Sequence, residues 1–273
     1  MISVNYHTHS TYCDGKNSPE EIVLAACSQG IKVLGFSGHS PLSNENWTMT
    51  EEGLEKYREE ILFLKEKYKG KLEILLGLEQ DILSEPPKGE YDFIIGAVHG
   101  IETPDGILYM DSTADILKAG IKKHFESDPM IVAERYFELV GELFERTKAD
   151  IIAHLDLLTK FDEKESTPLF DSKNPRYINA AKKAIEKLSK SEKKPLFEIN
   201  TGAMARGYRT TPYPSKELLR IIRDCGCDVI INSDCHDIRM LTHGFDKALE
   251  LAKECGFTRI ARISEGEVKY DSI

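Results

Sequence analysis

The chain has 273 residues, of which 41% are hydrophobic and 30% charged, and its formal net charge is −10. The apolar fraction excludes a disordered chain, and no run approaches the roughly 18 apolar residues that a membrane span needs. The acidic balance argues against a nucleic-acid partner and would also repel an anionic substrate, unless a local feature reverses the field. A start without signal-peptide features and six scattered cysteines predict a reduced, cytoplasmic protein.

Short apolar runs alternate with longer amphipathic segments along the chain. The apolar runs predict buried strands, and the amphipathic segments predict helices. The first helix opens on a capping box made by Ser18 and Glu21, with Pro19 at its first position. Strands are predicted at 2–9, 32–37, 72–78, 93–98, 150–155, 196–200, 228–232 and 258–263. Helices are predicted at 18–30, 50–68, 130–147, 175–189, 215–225 and 245–255.

Strand–helix alternation of this kind implies an α/β fold with a parallel sheet. So many units in one chain without a Gly/Ser linker favour a closed barrel, and we expect one domain over residues 1–273. Dinucleotide-binding and P-loop motifs are absent from the sequence. The irregular pattern of 100–130 predicts an inserted loop over one face of the barrel.

Histidines gather at the ends of the predicted strands. Six of the eight histidines have this position: His7, His9, His39, His99, His154 and His236. Two carboxylates, Glu79 and Asp234, share it. Because the carboxyl ends of parallel barrel strands converge on one site, these side chains are expected to meet there. Imidazole and carboxylate bind ions such as zinc and iron, and so many ligands exceed the needs of one tetrahedral site, which implies more than one ion.

Six short motifs, in chain order, resemble those of the PHP (polymerase and histidinol phosphatase) family. They are HTHSTYCDG at 7–15, GHS at 38–40, GLEQD at 77–81, VHG at 98–100, AHLD at 153–156 and SDCH at 233–236. The segments HLDLLTKF at 154–161 and NTGAMARGYRTTPYPS at 200–215 resemble the monofunctional histidinol-phosphate phosphatases of this family. The resemblance implies a distorted (β/α)7 TIM-like barrel with a centre of three divalent metal ions.

The resemblance also implies which residues hold each ion. The first would be bound by His7, His9, Glu79 and Asp234, the second by Glu79, His99 and His154, and the third by Asp14, His39 and His236. Many relatives carry a histidine near position 14, and the aspartate here favours harder ions such as manganese or iron beside zinc. Asp14 can instead be a loop residue of the turn-like segment CDGKNS.

The activity implied is hydrolysis of L-histidinol phosphate, a small phosphate ester, in histidine biosynthesis. Three divalent ions and three ligand carboxylates leave a pocket of about +3, which favours a phosphate dianion, and water shared by two ions is the expected nucleophile. Arg206 and Arg209 are candidates for phosphate binding, Arg206 also for catalysis, and His243 for protonating the leaving alkoxide. Candidates for the amino-alcohol end are Trp47, Glu102, Asp105, Tyr109 and Asp111.

Several alternatives stay open at this point. The chain can act on another small phosphate ester, such as a nucleotide, or be a non-catalytic metal-binding PHP module. A metal-dependent amidohydrolase also uses HxH at its first strand, but no ligand lysine is evident at a strand end in mid-chain. A Cys/His zinc site is a weaker alternative because its spacing matches no structural zinc pattern; it would use Cys225, Cys227, Cys235 and His236.

Overall fold

A parallel sheet of seven strands forms the centre of the computed structural model, which describes residues 2–273. In spatial order its strands are β1 (Val4–Asn5), β2 (Val33–Phe36), β3 (Glu73–Asp81), β4 (Phe93–Ala97), β7 (Ile151–Ile152), β8 (Leu196–Asn200) and β9 (Val229–Asn232), while β5 (Gly100–Thr103) and β6 (Gly106–Tyr109) form a separate hairpin. The first and last strands meet where Cys235 N donates to His7 O at 3.0 Å and His9 N donates to Cys235 O at 2.9 Å. The predicted α/β barrel is confirmed as a nearly closed barrel.

Helices cover the outside of this barrel. They are α1 (Pro19–Ser28), α2 (Glu51–Lys67), α3 (Ala114–His124), α4 (Pro129–Thr147), α5 (Pro175–Ser189), the single turn α6 (Gly202–Ala205), α7 (Lys216–Asp224) and α8 (Phe245–Glu254). The capping box of α1 is present, since Ser18 Oγ accepts from Glu21 N and the Glu21 carboxylate accepts from Ser18 N at 2.8 Å. Among residues 2–273, no helix combines the length and apolar character that crossing a membrane requires.

Alternate residues of each barrel strand point into a small apolar interior, as the period of two requires. Val33, Leu75, Phe93 and Ile95 belong to this interior cluster, whereas the intervening positions pack against the helices. A Cβ on Gly77 would lie 2.2 Å from Cζ of Phe93, so the ring of Phe93 needs glycine there. The inward-facing positions continue toward the carboxyl ends of the strands. In β3, Glu79 follows Leu75 and Gly77 at the same period of two.

Two predicted segments differ from expectation. The strand at 258–263 is present as β10 (Arg259–Ser264), but it pairs antiparallel with β11 (Glu267–Ser272) outside the barrel sheet. This hairpin supplies Ala261 and Ile263 to the barrel interior, and the hydroxyl of Tyr6 bonds to the backbone of Ile263. The segment 100–130 is not an irregular loop, because it contains the hairpin β5–β6 and helix α3.

Candidate metal centre

A cavity of about 380 Å³ lies at the carboxyl ends of the barrel strands. Its walls include acidic, imidazole, aromatic and cationic side chains: Asp14, His39, Glu45, Trp47, Glu79, His99, Tyr109, Asp111, Ser112, His154, Leu157, Lys160, Arg206, Asp234 and His236. His7 and His9 have fully buried side chains and lie within 3.5 Å of Glu79, a lining residue. The structure therefore brings all nine sequence-predicted ligand candidates into one cluster.

Glu79 occupies the middle of this cluster and is buried. Five imidazole nitrogens surround its carboxylate: Oε2 lies 3.2 Å from His7 Nε2, 3.5 Å from His9 Nε2 and 2.8 Å from His39 Nδ1, and Oε1 lies 3.4 Å from His99 Nε2 and 3.0 Å from His154 Nε2. The two oxygens thus face two different sets of histidines. A carboxylate in this position can bridge two cations.

Three groups of side chains have ligand atoms close enough to share an ion. They are His9, Asp14, His39 and His236; His7, His9 and Glu79; and His39, Glu79 and His99. In the second group, His7 Nε2, His9 Nε2 and Glu79 Oε2 are buried and, although close to one another, form no hydrogen bond with suitable geometry within residues 2–273. Buried polar atoms normally have partners, so these orphaned atoms fit a bound cation.

A second layer of carboxylates orients two of the imidazoles. Glu198 Oε1 lies 2.7 Å from His7 Nδ1, and Asp81 Oδ2 lies 2.8 Å from His99 Nδ1. Each contact places the hydrogen on Nδ1 and leaves Nε2 free to bind an ion. Sequence analysis missed both roles, although Glu198 is the one charged residue of the strand segment LFEIN and lies two positions from the inward Leu196.

Charge is distributed unevenly in the cluster. Burial raises the pKa of Glu79, but the imidazoles of His7 and His39 outweigh it and hold that pKa well below its usual value. Burial, together with the neighbouring His236 and His39, lowers the pKa of His9 to about 3. Against the effect of burial, the carboxylates around them raise the pKa of His7 and of His99 well above its usual value. His9 is thus already neutral, as a metal ligand must be, whereas His7 and His99 would release a proton when a cation binds.

Asp234 is held at the end of β9 by an unusual backbone. Its φ is +49°, in the left-handed region that few non-glycine residues adopt. A Cβ on Gly202, which follows the neighbouring strand β8, would lie 2.6 Å from Asp234 Oδ2, so glycine is needed there for Asp234 to approach. Backbone strain of this kind concentrates at functional sites. Here it directs the carboxylate toward His7 Nε2, at 3.8 Å, and His9 Nε2, at 3.3 Å.

Two cationic side chains line the cavity. Arg206 Nη2 donates to Asp234 Oδ2 at 2.9 Å, and its side chain remains 31% exposed. Lys160, which sequence analysis did not single out, donates from Nζ to the backbone oxygen of Asp111 at 2.9 Å. Arg209 is not among the lining residues. Its guanidinium lies 4.5 Å from the ring centre of Tyr213 and donates to Thr159 Oγ1.

Other candidates from the sequence lie away from the cavity. His243 is exposed before α8, and Glu102 is exposed on the hairpin β5–β6. Asp105, also exposed, contacts Lys123 and His124. The alternative zinc site is wrong within the described part of the chain, because β9 separates Cys225 and Cys227 at one end from Cys235 at the other.

This combination of features defines the class of the protein: an α/β barrel with a buried histidine–carboxylate centre at the carboxyl ends of its strands. The PHP domain family matches residues 5–202. The chain belongs to the PHP domain family.

Individual relatives match over most of the chain. A Schizosaccharomyces pombe protein named "Probable histidinol-phosphatase" is 24% identical, over 97% of this chain and 90% of its own length. The HisK structure from Listeria monocytogenes has a TM-score of 0.75 at 19% identity and covers 89% of this chain and 99% of its own. Histidinol phosphate phosphatase from Lactococcus lactis, crystallised with zinc, L-histidinol and phosphate, has a TM-score of 0.71 at 20% identity and covers 98% of both chains.

Proposed function

We propose that the protein is a metal-dependent phosphomonoesterase that hydrolyses L-histidinol phosphate to L-histidinol and inorganic phosphate. The observation that carries this proposal is the environment of Glu79, whose buried carboxylate faces five imidazoles within 3.5 Å. Lys160 and Arg206 line the same cavity, and cationic side chains beside a metal-capable centre suit a phosphate group. The names of the relatives and the ligands of the Lactococcus lactis structure support this choice of substrate.

We further propose that the centre holds three divalent ions, which can be zinc, manganese or iron. The proposed ligand sets are His7, His9, Glu79 and Asp234; Glu79, His99 and His154; and Asp14, His39 and His236. His9 also lies near the third set, with Nδ1 3.6 Å from Asp14 Oδ1. Bound ions of this kind supply Lewis acidity and lower the pKa of water.

The side chains of the protein then divide the remaining work. The guanidinium of Arg206 can bind two phosphate oxygens as a fork, and Lys160 can act as a point charge beside it. Both stabilise negative charge that develops on the oxygens of phosphorus during the reaction. Glu198 keeps the imidazole of His7 in one orientation, because its carboxylate holds Nδ1 at 2.7 Å.

The experiment is a steady-state assay of the metal-loaded protein with L-histidinol phosphate beside nucleoside monophosphates and sugar phosphates. We expect the highest kcat/KM for L-histidinol phosphate. A higher value for another ester would replace the substrate, and failure to hydrolyse any phosphate ester would overturn the proposal. His99→Ala should lower kcat by about 100-fold or more. The matched control His124→Ala removes a histidine that pairs with Asp105 outside the cavity and should keep the wild-type rate.

A further inference from the structure

One carboxylate of the cavity wall has no cationic partner. Four of the five acidic residues that line the cavity pair with a base: Asp14 with His236 at 3.1 Å, Glu79 with His39 at 2.8 Å, Asp111 with Lys160 at 3.4 Å and Asp234 with Arg206 at 2.9 Å. Glu45 has no basic side chain within 4.0 Å in the described chain. Its Oε2 accepts a hydrogen bond from Trp47 Nε1 at 3.0 Å. This half-buried carboxylate is therefore the one lining acid without a basic partner in the described residues.

Aromatic rings flank this carboxylate. The ring of Trp47 lies 4.7 Å from that of His39, 5.3 Å from that of His99 and 5.7 Å from that of Tyr109. The hydroxyl of Tyr109 is buried without a hydrogen-bond partner in residues 2–273, and burial together with the nearby Glu45 raises its pKa. Trp47 thus contacts Glu45 on one side and the rings of the candidate metal ligands His39 and His99 on the other.

The cavity consequently has two chemically distinct ends. Lys160 and Arg206 supply cationic groups near the strand ends, whereas Glu45, Trp47 and Tyr109 supply a carboxylate without a basic partner and aromatic surface. A phosphate group matches the first end. A cationic group matches the second, because an ammonium can form charge-assisted hydrogen bonds to a carboxylate and also lie against aromatic rings.

We propose that Glu45, Trp47 and Tyr109 form a recognition subsite for a cationic amino group on the leaving alcohol of the phosphate ester. The inference rests on the proposed function and assigns the part of the cavity that distinguishes an amino-alcohol ester from an ester without the amino group. Glu45 is the specificity-determining residue of this subsite, since it carries the only lining carboxylate without a basic partner in the described residues. The Trp47 hydrogen bond fixes one oxygen of Glu45 and leaves the other for the ammonium.

The kinetic test compares the wild type with Glu45→Gln, which keeps an oxygen for Trp47 Nε1 but removes the charge. The substrates are L-histidinol phosphate and its analogue with hydrogen in place of the amino group. We expect Glu45→Gln to lower kcat/KM for L-histidinol phosphate by about ten- to a hundredfold and to leave that for the analogue within about twofold. Equal effects on the two substrates, or no effect on either, would reject the subsite. The control Glu52→Gln makes the same charge change at an exposed position of α2.

Binding supplies an independent readout, because Trp47 is the single tryptophan of the chain. Titrating L-histidinol into the metal-loaded wild type should change its fluorescence saturably, and Glu45→Gln should raise the Kd by about tenfold or more. A wild type that hydrolyses no phosphate ester overturns the proposed function, while its fluorescence response still tests the subsite. A wild type that hydrolyses the amine-free analogue as well as L-histidinol phosphate keeps the phosphatase and rejects the subsite. An absent fluorescence response also rejects it.

Discussion

Oε1 of Glu79 lies 3.0 Å from Nε2 of His154, although 75 positions separate the two residues in the chain. Strands β3 and β7 bring them together, since Glu79 lies near the carboxyl end of β3 and His154 follows β7 in the same parallel barrel. The two side chains are almost completely buried. Burying the carboxylate anion is unfavourable unless positive charge lies close to it. Cations bound at this centre would supply that charge.

Replacing Glu79 by glutamine keeps the shape of the side chain and removes this charge. We expect Glu79→Gln to lose at least one bound metal ion per chain and to lower kcat by about 100-fold or more. Elemental analysis of the purified protein and a rate assay at saturating metal measure the two effects. Glu73→Gln serves as the control, because Glu73 lies at the opposite end of β3, where it accepts from Ser264 Oγ at 2.7 Å. Wild-type metal content in Glu79→Gln would contradict the bridging role.

Glu198 is expected to determine metal affinity without binding the metal. All of its neighbours donate to it: His7 Nδ1 at 2.7 Å, His154 N at 2.9 Å, Asn200 Nδ2 at 2.8 Å and Asn232 Nδ2 at 3.0 Å. A glutamine at position 198 would place the NH2 group of its amide against some of these donors, where no hydrogen bond can form. We expect Glu198→Gln to weaken metal binding by about 10- to 100-fold and to destabilise the fold by about 1–3 kcal/mol.

Competition with a chelator measures this affinity, and urea unfolding of the metal-free protein separates the loss of stability. If Glu198→Gln binds metal as tightly as the wild type, the orienting role of this carboxylate is wrong. The matching substitution Asp81→Asn should weaken the binding of a different ion, the one held by His99, because Asp81 Oδ2 lies 2.8 Å from His99 Nδ1. The pair of variants therefore tests whether each second-layer carboxylate acts on its own histidine.

The two arginines of the segment 200–215 should behave differently. Arg206 faces the cavity, so Arg206→Ala is expected to lower kcat/KM by about tenfold or more at saturating metal. Because bound metal can replace the guanidinium beside Asp234, the Tm of the metal-loaded variant should stay close to that of the wild type. Arg209 is 8% exposed and stacks on Tyr213. Arg209→Ala should therefore lower the Tm and leave kcat/KM within about threefold. Thermal unfolding and initial rates, measured on both variants, check this contrast, and an unfolded-like Arg206→Ala would contradict it.

The position of the ligand candidates was predictable because it depends on two local regularities. Apolar runs such as LEILLGL and FIIGAV define buried strands, and polar residues just after them must lie at one end of a parallel barrel. Glu79 and His99 also continue the inward period of their strands. The barrel and the convergence of the histidines followed from these patterns without knowledge of any long-range contact.

Other features depend on contacts that no local pattern records. Arg206 and Arg209 are three residues apart in one loop, and only the fold decides that the first meets Asp234 and the second Tyr213. The terminal run at 258–263 resembles a barrel strand, but its partner is β11, which has an exposed and polar sequence. The roles of Lys160 and Glu45 depend likewise on cavity walls assembled from distant segments.

Asp162 provides a test of pH dependence away from the metal centre. Burial raises its pKa from the ordinary 3.8 to about 6, against the lowering effect of the Leu169 and Phe170 amides. Between these two values the folded protein holds a proton that the unfolded chain releases. The contribution of Asp162 to stability is therefore present at low pH and is lost as the pH rises through about 6.

Replacing Asp162 by asparagine removes this titration and keeps an oxygen for Leu169 N, which Asp162 Oδ1 binds at 2.8 Å. We expect the free energy of unfolding of Asp162→Asn, relative to the wild type, to rise from about pH 4 to about pH 6 and to level off above that range. Urea unfolding of both proteins at several pH values measures the difference. Asp171→Asn, an exposed position in the same segment, controls for the loss of one negative charge. A difference that stays constant over this range, or that falls with pH, would show that the carboxyl of Asp162 is not protonated in the folded protein.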